Sequence, residues 1–218
     1  MSDLNRYFND TQNGYSSVAD EYAEKYFGEL AYKPLDRDLL DRLVLDVGTL
    51  GPICDMGCGP GQIARYLKDH GADALGVDLS PNMVAAARKL SPDIQFFQGN
   101  MLELDLPDAS WGGIAAFYSL IHIPRSLLPE ALRELRRVLR PGGLLLMAYH
   151  IGEETVHIDD WWEKPVKLDF NFLQTSLVKD LLVKSGLALE DVIERDPYPE
   201  EHPSRRAYIF ARKPYGID

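Results

Sequence analysis

Two acidic residues and three glycines have spacings that suit the binding of a charged, flexible ligand. Residues 53–62 read Ile-Cys-Asp-Met-Gly-Cys-Gly-Pro-Gly-Gln, so a short apolar run passes into glycines at alternate positions. Glycines tolerate positive φ and allow a ligand to approach the backbone closely. A helix that begins directly after them would add unpaired N–H groups and the positive end of its dipole. Asp78 ends the next apolar run, about 20 residues after Asp55, where an acid can accept hydrogen bonds from ribose hydroxyls.

The acid at the start of the glycine loop distinguishes between cofactors that contain a ribose. A dinucleotide-binding loop has the spacing G-x-G-x-x-G, whereas Gly57, Gly59 and Gly61 alternate. A carboxylate such as Asp55 gains nothing beside a pyrophosphate, but it suits a ligand that carries an ammonium group. The pattern therefore favours S-adenosylmethionine, which has an amino-acid tail, a sulfonium and a ribose. A nicotinamide-dependent oxidoreductase is the alternative.

Residues 53–61 resemble the first motif of the class I S-adenosylmethionine-dependent methyltransferases, and further motifs follow in that family's order over residues 48–150. Asp78 matches the family's ribose-binding acid, and Asn100-Met101 matches the position that contacts the adenine. Residues 117–119 and 139–143 match its fourth-strand motif and the turn before its fifth strand. The resemblance implies transfer of a methyl group from S-adenosylmethionine to a small-molecule acceptor, with S-adenosylhomocysteine as the product.

The same resemblance implies which residues bind the donor. In relatives with a comparable N-terminal segment, tyrosines such as Tyr15 and Tyr22 fold over the donor, although as core residues they would need no function. Met83 either covers the ribose and adenine or belongs to the core of its helix, and Asn100 could be a plain turn residue. The expected donor-binding residues are Asp55, Gly57, Cys58, Gly59, Gly61, Asp78, Leu79, Met83, Asn100, Met101, Leu102, Phe117, Tyr118, Tyr15 and Tyr22.

The acceptor side is less defined, because methyl transfer from a sulfonium needs a general base only when the acceptor atom carries a proton. His122 and His150 follow the fourth and fifth predicted strands and are the candidate bases, with loop-capping and strand-end histidines as the alternatives. Trp161 and Trp162 either wall an acceptor pocket or form a small core beneath a long loop. Since no residue is obligatory for this chemistry, a non-catalytic S-adenosylmethionine-binding protein is a further alternative.

Alternating strand and helix patterns predict an α/β fold with a doubly wound, mostly parallel seven-stranded sheet and an antiparallel terminal hairpin. An N-terminal helical cap is expected over residues 1–47, with helices near 14–30 and 34–46, and a donor-binding core over 48–150. Residues 151–170 are expected to form an irregular acceptor-side insertion. Residues 171–218 supply a helix and two strands, and the whole chain of 218 residues is expected to be one domain.

The amino-acid composition limits the classes of partner that this protein is expected to bind. The formal net charge of −11 argues against nucleic acid, because affinity for phosphates depends on basic residues. No apolar run is long enough to span a bilayer, and the start lacks the pattern of a signal peptide. Cys54 and Cys58 are too few and too isolated for a metal site, so no metal is expected. A cytoplasmic monomer or homodimer that acts on a small molecule is the resulting expectation.

Overall fold

The computed structural model describes residues 3–216 as a seven-stranded sheet, a two-stranded hairpin and flanking helices. The strands are β1 Ile53–Met56, β2 Ala74–Asp78, β3 Gln95–Gln98, β4 Trp111–Phe117, β5 Leu139–His150, β6 Thr155–Trp161, β7 Lys164–Asn171, β8 Ala188–Arg195 and β9 Arg206–Arg212. The helices are α1 Asp3–Ser17, α2 Ala19–Tyr26, α3 Pro34–Val47, α4 Gln62–Asp69, α5 Pro81–Leu90, α6 Leu128–Val138 and α7 Thr175–Lys184, with short 3₁₀ helices at Glu29–Tyr32, Leu120–His122 and Arg125–Leu127. Within this part of the chain, no helix has both the length and the apolarity that a membrane span requires.

The sheet has the order β3-β2-β1-β4-β5-β9-β8. Strands β1 to β5 pair in parallel, and β9 joins β5 and β8 in antiparallel register. The predicted mostly parallel seven-stranded sheet with an antiparallel terminal pair is therefore confirmed. The direction of winding reverses between β1 and β4, and a crevice at the carboxyl ends of the strands is the expected ligand site at such a point.

The central strands β1, β4 and β5 are buried on both faces, as their continuous apolar runs predict. Along β5, Leu145 and Met147 belong to the apolar cluster that includes α6 and α7, whereas Leu144 and Leu146 belong to the cluster that includes α3 and α4. Alternate residues of a strand point to opposite faces, so β5 lies between two helical layers. The central strands are thereby fixed, which holds their carboxyl ends in place.

The N-terminal cap differs from its prediction at the first helix. A single helix over 14–30 is wrong, because α1 and α2 are separate helices divided at Val18, which has φ −108°. Val18 is fully buried against Val166 and Leu168 of β7. Gly14 allows this contact, since a Cβ there would lie 2.9 Å from Cδ2 of Leu168. The second predicted helix, near 34–46, is confirmed as α3.

The predicted irregular stretch from His150 to Phe170 is also wrong. Strand β5 continues to His150, and β6 and β7 form an antiparallel hairpin. Its turn residues Trp162 and Glu163 both have positive φ, 54° and 64°. Apolar and polar residues alternate along much of the hairpin, which is the pattern of a half-exposed strand.

Candidate functional site

A cavity of about 470 Å³ lies at the carboxyl ends of β1, β2 and β4. The N-terminal cap and the β6–β7 hairpin cover it. The sequence-predicted residues that line it are Asp55, Gly57, Cys58, Gly59, Asp78, Leu79, Met83, Asn100, Met101, Phe117, Tyr118, Tyr15, Tyr22, His122, His150 and Trp161. Three predicted residues, Gly61, Leu102 and Trp162, are not among the lining residues. The fold thus brings nearly all of the predicted set to one cavity.

The glycine loop is held by Asp78. One carboxylate oxygen accepts the N–H of Gly59 at 2.8 Å, and the other accepts the N–H of Ser80 at 2.8 Å. Gly57 and Gly59 have φ of 75° and 51°, which side chains tolerate poorly. Burial raises the pKa of Asp78 to about 6, although the hydrogen bonds from the N–H groups of Ser80 and Gly59 lower it.

Asp55 is buried at the end of β1. Its carboxylate accepts the N–H of Ala64 in the first turn of α4 at 3.0 Å. Burial, with a further contribution from the charge of Asp78, raises its pKa to about 8. Neither acid has an ion-pair partner within residues 3–216. A ligand cation between them would favour their ionised forms.

The predicted residues outside the cavity support its walls. Gly61 has φ 86° and precedes α4, where a Cβ would lie 2.8 Å from the ring of Phe96. The N–H of Leu102 donates to Oδ1 of Asn100 at 3.0 Å, so that side chain closes a turn while lining the cavity. Met83, by contrast, is buried in α5 and also lines the cavity.

His122 connects the loop after β4 to the cap and the hairpin. Its Nδ1 lies 2.9 Å from the carbonyl oxygen of Asp169, and its Nε2 lies 2.7 Å from the hydroxyl of Tyr15. A carbonyl only accepts, so Nδ1 carries the proton and Nε2 accepts the hydroxyl proton of Tyr15. Burial lowers the pKa of His122 to about 4. The imidazole is therefore neutral at neutral pH and has a basic nitrogen beside the cavity.

His150 lies at the end of β5 in a second polar corner of the cavity. Its Nδ1 is 2.8 Å from the Oγ of Ser204, and its ring stacks on Phe172 with centroids 4.9 Å apart. Burial lowers its pKa to about 3, and the positive charge of Arg206 adds to this effect. It too is neutral at neutral pH.

Aromatic rings from the cap and the hairpin close the cavity. Tyr15 and Tyr22 each lie 5.7 Å from Trp161, centroid to centroid. Trp162 packs behind it, 5.0 Å from Trp161 and 6.1 Å from Tyr26. Trp161 thus lines the cavity, and Trp162 packs behind it.

The sequence analysis missed several charged residues that line the cavity, among them Lys33. Lys33 is a buried residue between the 3₁₀ helix Glu29–Tyr32 and α3. Its Nζ lies 2.6 Å from the carboxylate of Glu29. Burial lowers the pKa of Lys33, but Glu29, Tyr118 and Asp36 together outweigh this effect, and the pKa is raised. In the sequence, only the Lys-Pro pair ahead of a predicted helix marks this position, and this pair carries no sign of burial.

Comparison with known proteins agrees with this geometry. Residues 53–143 match a family described as methyltransferase domain. A malonyl-[acyl-carrier protein] O-methyltransferase of Serratia marcescens is 33% identical over 159 residues, which cover 72% of this chain and 61% of that protein. A 2-methyl-6-phytyl-1,4-hydroquinone methyltransferase of Synechocystis is 33% identical over 119 residues, covering 52% of this chain and 37% of the other.

A solved structure has the same fold over almost the whole chain. The 1,6-didemethyltoxoflavin-N1-methyltransferase of Burkholderia thailandensis, bound to 1,6-didemethyltoxoflavin and S-adenosylhomocysteine, superposes with a TM-score of 0.76 and 18% identity. It covers 98% of this chain, which covers 92% of it.

The fold, the motif order and these matches define the class: the chain contains a class I S-adenosylmethionine-dependent methyltransferase domain. The chain spans less than two thirds of the length of the curated relatives described above, 61% and 37%.

Proposed function

We propose that this chain binds S-adenosylmethionine in the cavity and transfers its methyl group to a small-molecule acceptor, releasing S-adenosylhomocysteine. The observation that carries the proposal is the convergence of Asp55, Asp78 and the glycine loop on one cavity that continues past His122. Two buried acids that have no ion-pair partner among residues 3–216 suit a ligand that carries an ammonium and a sulfonium. The predicted donor-binding roles of the other lining residues belong to this proposal.

The acceptor end of the cavity is largely apolar. Phe8, Ile121, Ile158 and Phe170 line it around the neutral imidazole of His122. Such a wall excludes water and aligns an apolar acceptor with the sulfonium, which accounts for most of the catalysis that methyl transfer requires. Of the two histidines, His122 is our candidate to take a proton from an O–H or N–H acceptor, which would replace the hydroxyl of Tyr15 as the donor to Nε2.

The substrates of the similar proteins support a small-molecule acceptor. These proteins act on a malonyl group carried by a protein, on a phytyl hydroquinone and on a heterocycle. A cytoplasmic location and a monomeric or homodimeric state stay predictions.

Calorimetric titration of the purified chain tests the proposal. S-adenosylmethionine and S-adenosylhomocysteine are expected to bind and NADH is not; binding of NADH alone would support the oxidoreductase alternative. Donor consumption over a panel of metabolites then tests turnover. Tight donor binding without donor consumption for any compound of the panel would favour the non-catalytic alternative.

A further inference from the structure

Lys33 is a buried ammonium group whose donors are only partly used. Its side chain is 9% exposed and lines the cavity. Of its three N–H groups, one donates to Glu29, and within residues 3–216 no other hydrogen bond of Nζ is found. The nearest other carboxylate oxygen, on Glu201, is 3.7 Å away, beyond hydrogen-bond distance. Because buried donors are costly to leave unpaired, the group suits an additional acceptor supplied from the cavity.

The strand order indicates which part of the donor lies near Lys33. Asn100 follows β3, Asp78 ends β2 and Asp55 ends β1, in the spatial order β3-β2-β1-β4. With the ribose at Asp78 and the adenine toward β3, the amino-acid tail extends toward β1 and β4. Lys33 is at that end, since its Nζ lies 5.7 Å from the ring of Tyr118, which directly follows β4.

Glu29 connects Lys33 to the glycine loop. Its second carboxylate oxygen accepts a hydrogen bond of 3.1 Å from Nε2 of Gln62. Gln62 is the first residue of α4, directly after the loop. A cation and an anion from the cap therefore lie beside the loop and close to the end of β4.

We propose that Lys33 and Glu29 recognise the amino-acid tail of the donor, with Nζ of Lys33 binding the α-carboxylate and the carboxylate of Glu29, together with Asp55, facing the α-ammonium. The assignment rests on the proposed function. When the zwitterionic tail binds this pair, its carboxylate lies beside Lys33 and its ammonium beside Glu29. Each of these four charges then has a neighbour of opposite sign, which offsets the free-energy cost of removing them from water. Both residues lie outside residues 53–143, which match the family, so the cap supplies this recognition.

Two ligands that differ only in the tail test the proposal. S-adenosylhomocysteine carries it, whereas 5′-methylthioadenosine has the same nucleoside thioether without the amino acid. Lys33→Met is expected to weaken binding of S-adenosylhomocysteine by about 10- to 100-fold, as for a lost hydrogen bond to a charged group. Its affinity for 5′-methylthioadenosine should stay within about threefold. Lys33→Arg is expected to retain part of the preference, and Lys68→Met, at the far end of α4, should change neither affinity.

The outcomes separate the two proposals. If the unaltered chain binds neither ligand, the proposed function fails. If it binds S-adenosylhomocysteine tightly and Lys33→Met weakens both ligands equally, or neither, the assignment of Lys33 is wrong. Binding of 5′-methylthioadenosine shows that the variant is folded. Should Lys33→Met not fold, the double variant Lys33→Gln with Glu29→Gln leaves no unpaired buried charge and permits the same comparison.

Discussion

At the ends of β1 and β2, two carboxyl groups occupy one cavity, and each already accepts hydrogen bonds from the backbone. Asp78 accepts the N–H groups of Gly59 and Ser80, and Asp55 accepts that of Ala64. The acids therefore shape the glycine loop and the start of α4 as well as facing the proposed ligand. A substitution at either position acts through both roles.

Asp78→Ala is expected to lower the affinity for S-adenosylmethionine by about tenfold or more, because a hydrogen bond to a charged group contributes about 1.5–3 kcal/mol. Calorimetry on the folded variant measures the change. Asp73→Ala is the matched control, since Asp73 is exposed just before the other end of β2, and its affinity should be unchanged. Wild-type affinity in Asp78→Ala would refute the ribose assignment.

His122 should act as a base well below neutral pH if the acceptor carries an O–H or N–H. With a pKa of about 4, the imidazole is unprotonated above that value, so its contribution to kcat/KM is full near pH 6 and is lost as pH falls through 4. His122→Gln is expected to lower kcat by about 10²–10⁴-fold.

The control for this prediction is His70→Gln, at an exposed histidine directly after α4, which should leave kcat unchanged. The pH profile of kcat/KM with the acceptor found by the panel measures the effect. An undiminished kcat in His122→Gln would assign the histidine a structural role.

The secondary-structure elements that could be predicted best from the sequence are those that neighbouring residues specify. The strand, glycine loop and helix over 53–69 depend on adjacent residues. The break at Val18 depends instead on packing against Val166 and Leu168, about 150 residues away in the sequence. Lys33 likewise lies near a distant residue, since its Nζ is 3.7 Å from a carboxylate oxygen of Glu201. Such distant contacts leave no periodic pattern at the residues that make them.

The β6–β7 hairpin offers a test of local strain. Hairpins with two-residue turns favour Asn and Gly, yet this turn has Trp162 and Glu163 at positive φ. Glu163 is exposed, so Glu163→Gly should raise the free energy of unfolding by about 1 kcal/mol through relief of the backbone strain.

Lys167→Gly is the matched control, because Lys167 is exposed within β7 and glycine in a strand costs about 0.5–1 kcal/mol. Urea unfolding measures both variants. Equal destabilisation by the two substitutions would show that the turn is not strained.

For the whole molecule, four buried groups of the cavity make stability depend on pH with opposite signs. Asp55 and Asp78 have folded pKa values near 8 and 6, above their usual range, so their contribution is full at low pH and is lost as pH rises through those values. His122 and His150 have folded pKa values near 4 and 3, so their contribution is present above about 6.5 and is lost as pH falls through those values. Between about pH 4 and 6 the two effects largely cancel.

Above pH 6.5, Asp55 alone of these four groups still titrates appreciably in the folded chain. The free energy of unfolding of the ligand-free chain should therefore fall by about 1–2 kcal/mol between pH 6.5 and 8, since each pH unit of differential protonation corresponds to about 1.4 kcal/mol. Urea unfolding at the two pH values measures the fall. Asp55→Asn, which cannot titrate, should abolish it, whereas Asp105→Asn, at an exposed acid, should keep it. An equal fall in Asp55→Asn would show that the carboxyl group of Asp55 is already ionised in the ligand-free cavity at pH 6.5. Binding of a cationic tail would then not change the protonation of Asp55.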